Sequence, residues 1–270
     1  MTINEWLARA TKQLTNTGIE TARLDCLVLL ADLLEQDKAW LLAHPEHVLT
    51  DEQQTTLAAQ LTERITHSPL AYIRGKTEFY GRDFIVTPDV LVPRPESEAM
   101  IDLLKQLDLK KPRIADIGTG SGALGITADL EVPGAVVAAV DIDEACLDVC
   151  KRNAVVHAAA ISLFSGDLLE PFLQKDSDFK PEILLCNLPY VPNEYLVNQA
   201  ARHEPRLALF GGSDGLDLFR RLFKQATHLK PQYILTESLP EQHEELAKIA
   251  AAHRFKLQTS DDFIQLFTAA

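Results

Sequence analysis

The tetrapeptide Asn-Leu-Pro-Tyr at 187–190 has the side chains to hold a planar NH₂ group. The residues before it are Ile-Leu-Leu-Cys, which predicts a buried strand ending at Asn187. An NH₂ group that receives a methyl group needs two acceptors for its N–H bonds, so that its lone pair faces the incoming carbon. The Asn187 side-chain oxygen and the Leu188 carbonyl can be these acceptors. Pro189 favours an extended Leu188, and Tyr190 can stack on the flat group. An ordinary turn after a strand is the alternative.

A glycine-rich turn earlier in the chain predicts a cofactor site. Residues 115–125, ADIGTGSGALG, follow a predicted strand and open a predicted helix, and their glycines let a ligand approach where a Cβ would clash. Asp141 ends the next strand, where a carboxylate can accept hydrogen bonds from both ribose hydroxyls. Asp167 follows the third strand, where it can accept a hydrogen bond from an adenine amino group. A purely structural tight turn is the alternative.

The residues of this turn fit two cofactors. Gly118, Gly120 and Ala123 satisfy the dinucleotide fingerprint G-x-G-x-x-G/A, which would indicate a nicotinamide enzyme. The turn also resembles the E/D-x-G-x-G-x-G loop of class I methyltransferases, with Asp116 as its acidic member. A carboxylate suits the cationic sulfonium and the α-amino group of S-adenosylmethionine better than it suits a pyrophosphate. The turn by itself leaves both cofactors open.

Residues 1–71 predict helices only. Thr2 with Glu5 and Thr50 with Gln53 form capping boxes, which predict two helix starts. Short loops between apolar stripes indicate a small antiparallel helical bundle. This region holds no convergent set of catalytic side chains, and we therefore expect it to dock a partner protein.

The remainder of the chain predicts a linker and an α/β domain. Residues 72–95 alternate aromatic and β-branched residues between glycines and prolines, which predicts a β-hairpin linker followed by an extended loop. Repeated βα units in residues 96–270 predict a doubly wound, Rossmann-like sheet of seven strands. The last two strands have no helix between them and should form an antiparallel hairpin. One antiparallel strand at the end of such a sheet is typical of methyltransferases that use S-adenosylmethionine.

Composition and charge argue against several classes of protein. The 270 residues carry a net charge of −13, whereas generic nucleic-acid binding needs a dense lysine and arginine surface. The four cysteines show no C-x-x-C spacing, so we expect neither a metal site nor a disulfide framework. The first residues predict an amphipathic helix rather than a signal peptide, and no apolar run reaches about 18 residues. We expect a cytoplasmic protein without membrane segments.

Other motifs carry less information. Residues 211–215, GGSDG, match the nucleophile elbow G-x-S-x-G, but no acid and histidine clearly follow in the order of a hydrolase. His203-Glu204 and His243-Glu244 have the side chains of metal ligands, and we expect them to be solvated loop and helix residues instead.

Four segments of the chain together resemble the peptide chain release factor glutamine methyltransferases. They are residues 71–98, 115–126, 187–195 and 203–222, and the resemblance is most specific at VPRPESE and EPRLALFGGSDGLD. It covers essentially the whole chain. It implies a class I S-adenosylmethionine-dependent enzyme with an N-terminal helical domain and a hairpin linker. Its substrate would be the glutamine of the Gly-Gly-Gln loop of a release factor, methylated on the side-chain amide nitrogen.

The resemblance also implies roles for individual residues. The glycine turn and Asp141 would hold S-adenosylmethionine, and residues 167 and 168 would lie beside its adenine. Residues 187–190 would grip the glutamine amide. Arg94 and the flanking prolines, Pro93 and Pro95, would wall the pocket from the linker side, and Glu96 would face the cofactor end. The implied cofactor-binding residues are Asp116, Gly118, Thr119, Gly120, Ser121, Gly122, Asp141, Asp167, Leu168 and Asn187. The implied residues of the amide site are Asn187, Leu188, Pro189 and Tyr190, and those of the substrate pocket are Pro93, Arg94 and Glu96.

Position 188 departs from this family, which usually has Asn-Pro-Pro-Tyr. Leu188 still offers its carbonyl, but with a freer φ and an additional N–H. The leucine form is familiar in ribosomal RNA adenine dimethyltransferases, so an enzyme that methylates an adenine of RNA or DNA is one alternative. A glutamine methyltransferase of a ribosomal protein is another. The acidic chain and the linker segments favour a protein substrate, and we expect a monomer that does not bind nucleic acid directly.

Overall fold

The computed structural model describes residues 1–107 and 109–270, which form two units. The first unit comprises residues 1–75 and 198–203, and the second comprises residues 76–197 and 204–270. Among the described residues, no helix has both the length and the apolar character that crossing a membrane requires.

The first unit is built from helices, and both predicted capping boxes are present. The Thr2 hydroxyl accepts from the Glu5 N–H at 3.2 Å, and the Glu5 carboxylate accepts from the Thr2 N–H at 2.8 Å. Thr50 and Gln53 make the same pair of bonds. These caps satisfy N–H groups that have no partner inside the helix. The helices are α1 (Ile3–Asn16), α2 (Ala22–Leu34), α3 (Lys38–Ala43), α4 (Asp51–Ile65) and α5 (Leu70–Arg74).

The hairpin begins four residues later than the sequence predicts. Residues 72–74 belong to α5, which ends at Gly75 with a φ of 70°. A left-handed glycine is a strong helix end, and it decides between the two patterns here because Tyr72 and Ile73 fit a strand as well as a short helix. The antiparallel strands are β1 (Lys76–Phe79) and β2 (Arg82–Ile85). Both strands of the hairpin therefore lie within residues 72–95 and begin at Lys76.

A seven-stranded sheet with helices on both faces forms most of the second unit. The strands are β3 (Arg113–Ile117), β4 (Val136–Asp141), β5 (Ile161–Ser165), β6 (Ile183–Cys186), β7 (Tyr233–Glu237), β8 (Phe255–Asp261) and β9 (Ile264–Ala269). The helices are α6 (Glu98–Lys105), α7 (Ala123–Glu131), α8 (Glu144–Val156), α9 (Glu170–Leu173), α10 (Arg206–Leu209), α11 (Asp217–Leu229) and α12 (His243–Ala252). Short 3₁₀ turns in this unit span Pro95–Ser97 and Pro240–Gln242, and a third, Ala201–His203, belongs to the first unit.

The strand order is β5-β4-β3-β6-β7-β9-β8. Neighbouring strands are parallel except for β9, which is antiparallel to both β7 and β8. The predicted seven-stranded, Rossmann-like α/β fold with a final antiparallel hairpin is confirmed. The chain runs outward from β3 through β4 to β5, and then returns to the other side of β3 with β6. The sheet therefore has a topological switch point between β3 and β6, and open α/β sheets bind their ligands at such a point.

Alternating residues of the central strand, β3, pack into two different apolar cores. Ala115 and Ile117 of β3 lie in a core with α11 and α12, whereas Ile114 lies in a core with α6 and α7. This is the expected result of a period-2 strand that is covered on both faces. Helices on both faces hold the strand ends in place, so the loops that follow β3, β4 and β6 meet at one edge.

Candidate functional site

A cavity of about 230 Å³ lies at the carboxyl ends of β3, β4 and β6. Every residue that lines it belongs to the second unit. Four of the predicted site residues, Arg94, Glu96, Gly122 and Tyr190, are not part of its lining. The predicted residues that do line it are Pro93, Asp116, Gly118, Thr119, Gly120, Ser121, Asp141, Asp167, Leu168, Asn187, Leu188 and Pro189. The structure thus brings the glycine turn and the end of β6 to one cavity.

Backbone hydrogen bonds fix the glycine turn after β3. The N–H groups of Gly118 and Thr119 both donate to the carbonyl of Val140, at 2.9 and 3.0 Å. The next N–H, of Gly120, donates to Asp141 Oδ2 at 2.9 Å. The turn is therefore tied to the end of β4, and the predicted acidic residue of that strand takes part in holding it.

The glycines of the turn are needed for two different reasons. Gly118, Gly120 and Gly122 have φ values of 72°, 53° and 84°, which side chains with a Cβ rarely adopt. A Cβ on Gly122 would also stand 2.6 Å from Cys150 Sγ, so this glycine permits the close approach of α8. A Cβ on Gly120 would meet nothing within 4 Å. The middle of the turn therefore faces open space, and its ends are packed.

Asp116 braces the turn from inside the protein. Its side chain is buried, and Oδ2 accepts from the Thr119 hydroxyl at 2.6 Å and from the Gly125 N–H at 2.9 Å. Burial raises the pKa of Asp116 to about 6, and these two hydrogen bonds oppose that rise. Its observed contacts join the turn to the first turn of α7.

Asp141 presents a buried carboxylate to the same cavity. Oδ2 holds Gly120, and Oδ1 accepts from the Asp143 N–H at 3.0 Å. Burial raises the pKa of Asp141. Each carboxylate oxygen has a second lone pair, so both oxygens can accept one more hydrogen bond. This is the acceptor capacity that a pair of donating ribose hydroxyls would need in a partner.

The loop after β5 forms one edge of the cavity, and an ion pair lies at this edge. Asp167 pairs with Arg221 of α11, and both residues line the cavity. Leu168 is buried with a φ of 53°, and the following N–H, of Leu169, donates to Gln225 Oε1 at 2.9 Å. Helix α11 therefore sets the conformation of this loop. The sequence did not single out Arg221.

The GGSDG segment packs against the backbone of Asn-Leu-Pro-Tyr. A Cβ on Gly211 would stand 2.1 Å from the Pro189 oxygen, and one on Gly215 would stand 1.9 Å from the Tyr190 oxygen. Val191 forms a parallel bridge with Phe210. These glycines are therefore needed for close backbone packing, and the segment is not placed as a nucleophile elbow after a strand.

A second contact ties the tetrapeptide to this segment. Gln242 Nε2 donates to the Tyr190 oxygen at 2.8 Å and to the Asp214 oxygen at 2.7 Å. The Leu188 side chain is buried, and its Cδ2 would lie 3.1 Å from a Cβ on Gly118. Leu188 thus packs on the glycine turn, so the two motifs are in direct contact.

Glu237, which ends β7, connects the side chains around Asn187. Its Oε1 accepts from the Tyr190 hydroxyl at 3.0 Å, and its Oε2 accepts from the Ser97 hydroxyl at 2.5 Å. Asn187 Nδ2 donates to Ser97 Oγ at 2.9 Å. Burial raises the pKa of Glu237, and it also raises the pKa of Tyr190 far above its ordinary value.

Arg94 contacts Glu204 and not the cavity. Its Nη2 lies 2.5 Å from Glu204 Oε2, and Glu204 Oε1 accepts from the Val92 N–H at 3.3 Å. The Glu204 side chain is 1% exposed, so the expectation of a solvated residue is wrong. The physical reason is that Arg94 and the Val92 N–H supply partners for a carboxylate that would otherwise be costly to bury. Burial raises the pKa of Glu204.

Asn153 is a further residue that sequence reasoning missed. Its Nδ2 donates to the Ser121 oxygen at 2.8 Å and to the Ile85 oxygen at 2.9 Å, and its Oδ1 accepts from the Ile85 N–H at 2.7 Å. It joins the glycine turn to β2. An asparagine on the apolar face of α8 is the signal that could have found it. For Glu237, the signal in the sequence is an acidic residue at the end of a strand.

Residues 1–107 and 109–270 contain no cluster of side chains suited to a metal ion. No group of three or more histidine, cysteine, aspartate or glutamate side chains is arranged there to hold an ion. Burial raises the pKa of Cys146 and of Cys150 to about 12, so both thiols are protonated at neutral pH.

Comparison with protein families and curated relatives gives consistent matches. The PrmC N-terminal domain matches residues 5–75, and the Methyltransferase small domain matches residues 96–203. A release factor glutamine methyltransferase of Coxiella burnetii is 37% identical over 84% of this chain and 81% of its own. One of Koribacter versatilis is 36% identical over 86% of this chain and 84% of its own. One of Moorella thermoacetica is 38% identical over 85% of this chain and 82% of its own.

Solved structures share the fold at low sequence identity. A methyltransferase from Pyrococcus furiosus has a TM-score of 0.52 with 14% identity, covering 81% of this chain and 97% of its own. The 16S rRNA N2 G1207 methyltransferase of T. thermophilus, in complex with AdoMet and guanosine, has a TM-score of 0.51 with 15% identity, covering 72% of this chain and 49% of its own. These likenesses establish a class I methyltransferase fold.

Proposed function

The chain belongs to the release factor glutamine methyltransferase family, and we propose that it methylates the side-chain amide nitrogen of the Gly-Gly-Gln glutamine of a peptide chain release factor. The methyl donor is S-adenosylmethionine. The observation that carries the proposal is that the glycine turn and Asn187 line one cavity at the switch point of the sheet.

The residues of the cavity fit S-adenosylmethionine. The middle of the glycine turn faces open space, and the buried Asp141 carboxylate keeps free lone pairs beside it. When bound, the cofactor supplies a methyl group on a cationic sulfur. Residues 118–122 and Asp141 would hold it, with Asp116 bracing the turn, and Asp167 and Leu168 would lie beside its adenine.

Asn187 and Leu188 would orient the glutamine amide. Two acceptors, the Asn187 side-chain oxygen and the Leu188 carbonyl, would take the two N–H bonds and leave the nitrogen lone pair directed at the donor. Tyr190 is proposed to stack on the flat amide, although it lies outside the cavity lining, and its hydroxyl is held by Glu237 at 3.0 Å. This arrangement needs no separate base, because the nitrogen becomes acidic only as it gains the methyl group. Positioning close to contact distance supplies most of the rate enhancement.

The wall of the pocket on the linker side would be formed by Pro93, which lines the cavity. Arg94 and Glu96 lie outside the lining, and Arg94 pairs with Glu204 instead. Residues 1–71, the helical region, would dock the release factor, residues 72–95 would link the two parts, and residues 96–270 would carry the methyltransferase chemistry.

We also propose that the protein works as a monomer on a protein substrate, in the cytoplasm where release factors act. The net charge of −13 disfavours a nucleic-acid substrate.

The test is to identify the methylated product. The protein is incubated with labelled S-adenosylmethionine, a purified release factor and, separately, ribosomal protein and ribosomal RNA. We expect label on the Gly-Gly-Gln glutamine, located by mass spectrometry of the digested release factor. Label in RNA alone would select an adenine methyltransferase, the alternative that Leu188 raises, and label in ribosomal protein alone would select the other glutamine methyltransferase.

A further inference from the structure

Asn187 can perform its proposed role in only one of its two amide orientations. If its oxygen faces the substrate, it accepts an N–H bond of the glutamine amide. If the amide is turned over, its NH₂ group meets another NH₂ group, and neither can accept. The proposed role therefore requires side chains that hold the Asn187 amide with its oxygen toward the substrate.

Ser97 supplies an acceptor for the Asn187 nitrogen, because its own proton is directed elsewhere. A serine hydroxyl has one proton to donate, and Ser97 donates it to Glu237 Oε2 at 2.5 Å. Its oxygen then accepts from Asn187 Nδ2 at 2.9 Å. With the nitrogen held on this side, the Asn187 oxygen points away from Ser97.

Glu237 sets the direction of this chain of hydrogen bonds. Its side chain is buried at 1% exposure at the end of β7, and Cys186 pairs with Thr236, so Glu237 lies beside Asn187 in the sheet register. Burial raises the pKa of Glu237, and hydrogen bonds from Ser97, Tyr190 and Asn187 oppose that rise. Without this acceptor, the Ser97 proton would be free to turn toward the Asn187 oxygen and reverse the amide.

We propose that Ser97 and Glu237 are positioning residues that hold the Asn187 amide with its oxygen toward the substrate. Glu237 also holds the Tyr190 hydroxyl, so one carboxylate fixes the side chains at both ends of the tetrapeptide. This inference rests on the proposed function, because it assigns the orientation that an NH₂ substrate requires.

The test compares Ser97→Ala with the matched control Ser238→Ala. Ser238 follows Glu237, is equally buried, and its hydroxyl has no hydrogen-bond partner among the described residues. We expect Ser97→Ala to lower kcat about tenfold, equivalent to about 1.4 kcal/mol, with little change in S-adenosylhomocysteine binding. Ser238→Ala should keep the wild-type kcat. A normal kcat in Ser97→Ala would overturn the proposal.

A double-mutant cycle separates positioning from a general structural role. If Ser97 acts through Asn187, then Ser97→Ala added to Asn187→Ala should change kcat by less than about twofold. A further tenfold fall in the double variant would overturn the proposal. Glu237→Gln, which replaces one carboxylate oxygen by a donor, should give a kcat between those of the wild type and Ser97→Ala. A wild-type kcat there would remove Glu237 from the assignment.

A readout without substrate distinguishes this inference from the proposed function. The side-chain NH₂ resonances of Asn187, identified by their loss in Asn187→Ala, should shift in Ser97→Ala and stay unchanged in Ser238→Ala. Unshifted resonances in Ser97→Ala would overturn the inference whatever the enzyme methylates. Failure of the wild-type protein to label glutamine would instead overturn the proposed function.

Discussion

Asn187 is the residue on which the proposed chemistry depends most directly. Replacing it with alanine removes one of two acceptors for the substrate N–H bonds and leaves the glycine turn untouched. We expect Asn187→Ala to lower kcat by roughly 10²-fold, as for loss of about 3 kcal/mol of transition-state stabilisation, with cofactor affinity nearly unchanged. Single-turnover kinetics and calorimetry with S-adenosylhomocysteine measure the two quantities. Asn193→Ala, an exposed asparagine of the following loop, is the control. Near-normal turnover in Asn187→Ala would refute its role.

The ion pair of Asp167 and Arg221 provides a prediction about cofactor affinity. Arg221→Ala releases the Asp167 carboxylate from its partner at the cavity edge. A partly exposed ion pair contributes only about 0.7 kcal/mol, so we expect about threefold weaker binding of S-adenosylhomocysteine.

Arg220 is the matched control for this prediction. It is adjacent in the helix and pairs with Asp214 and Asp217, and it does not line the cavity. Arg220→Ala should leave the affinity of the cofactor unchanged by calorimetry. Equal weakening in both variants would show that the charge of α11 acts at long range and that the Asp167 contact has no special part.

At the scale of elements, the segment around Gly215 holds the end of β6 in place. A Cβ at Gly215 would stand 1.9 Å from the Tyr190 oxygen, and the backbone there has a φ of 80°. We expect Gly215→Ala to destabilise the protein by more than the roughly 1–2 kcal/mol that the backbone conformation alone costs, and to lower kcat.

Gly81→Ala isolates the backbone contribution. Gly81 has a φ of 71° in the same unit, and a Cβ there would meet nothing within 4 Å. Denaturant unfolding of both variants should show the larger loss of unfolding free energy in Gly215→Ala, and only that variant should lose activity. Equal losses of stability would mean that the Tyr190 carbonyl moves aside freely.

The sequence predicted the elements well where one pattern dominated. The capping boxes at Thr2 and Thr50 and the βα alternation after Arg113 each have a single local explanation. The sequence did not show the structure of residues 72–75, because Tyr72 and Ile73 suit either a strand or a short helix. In the structure, Gly75 ends the helix that contains them.

The site was predictable only where its residues carry a sequence signature. The glycine turn and Asn187 belong to recognisable motifs at strand ends. Ser97 and Glu237 are separated by 140 residues, and Arg94 from Glu204 by 110, so their contacts depend on tertiary packing. Buried carboxylates are difficult to predict from sequence. Their burial is tolerated only because of hydrogen-bond and ion-pair partners, and these partners lie on other elements.

For the whole molecule, the division into two units allows cofactor binding to be tested apart from the proposed docking. All residues that line the cavity belong to the second unit, so we expect residues 76–270 alone to bind S-adenosylhomocysteine with a Kd within about threefold of the full chain. If the helical unit docks the release factor, kcat/KM for that protein should fall at least about tenfold in the truncated chain. Calorimetry and steady-state kinetics measure the two effects.

A short peptide that contains Gly-Gly-Gln is the control substrate for this truncation. It presents the glutamine without the surface that would dock on the helical unit, so the full chain and residues 76–270 should methylate it at similar rates. The truncated chain keeps residues 198–203, which belong to the first unit, and thermal unfolding must show a cooperative transition before its kinetics are compared. Equal loss of activity toward peptide and release factor would contradict docking, because the helical unit would then be needed for the chemistry itself. Unchanged activity toward the release factor would assign recognition to the second unit alone.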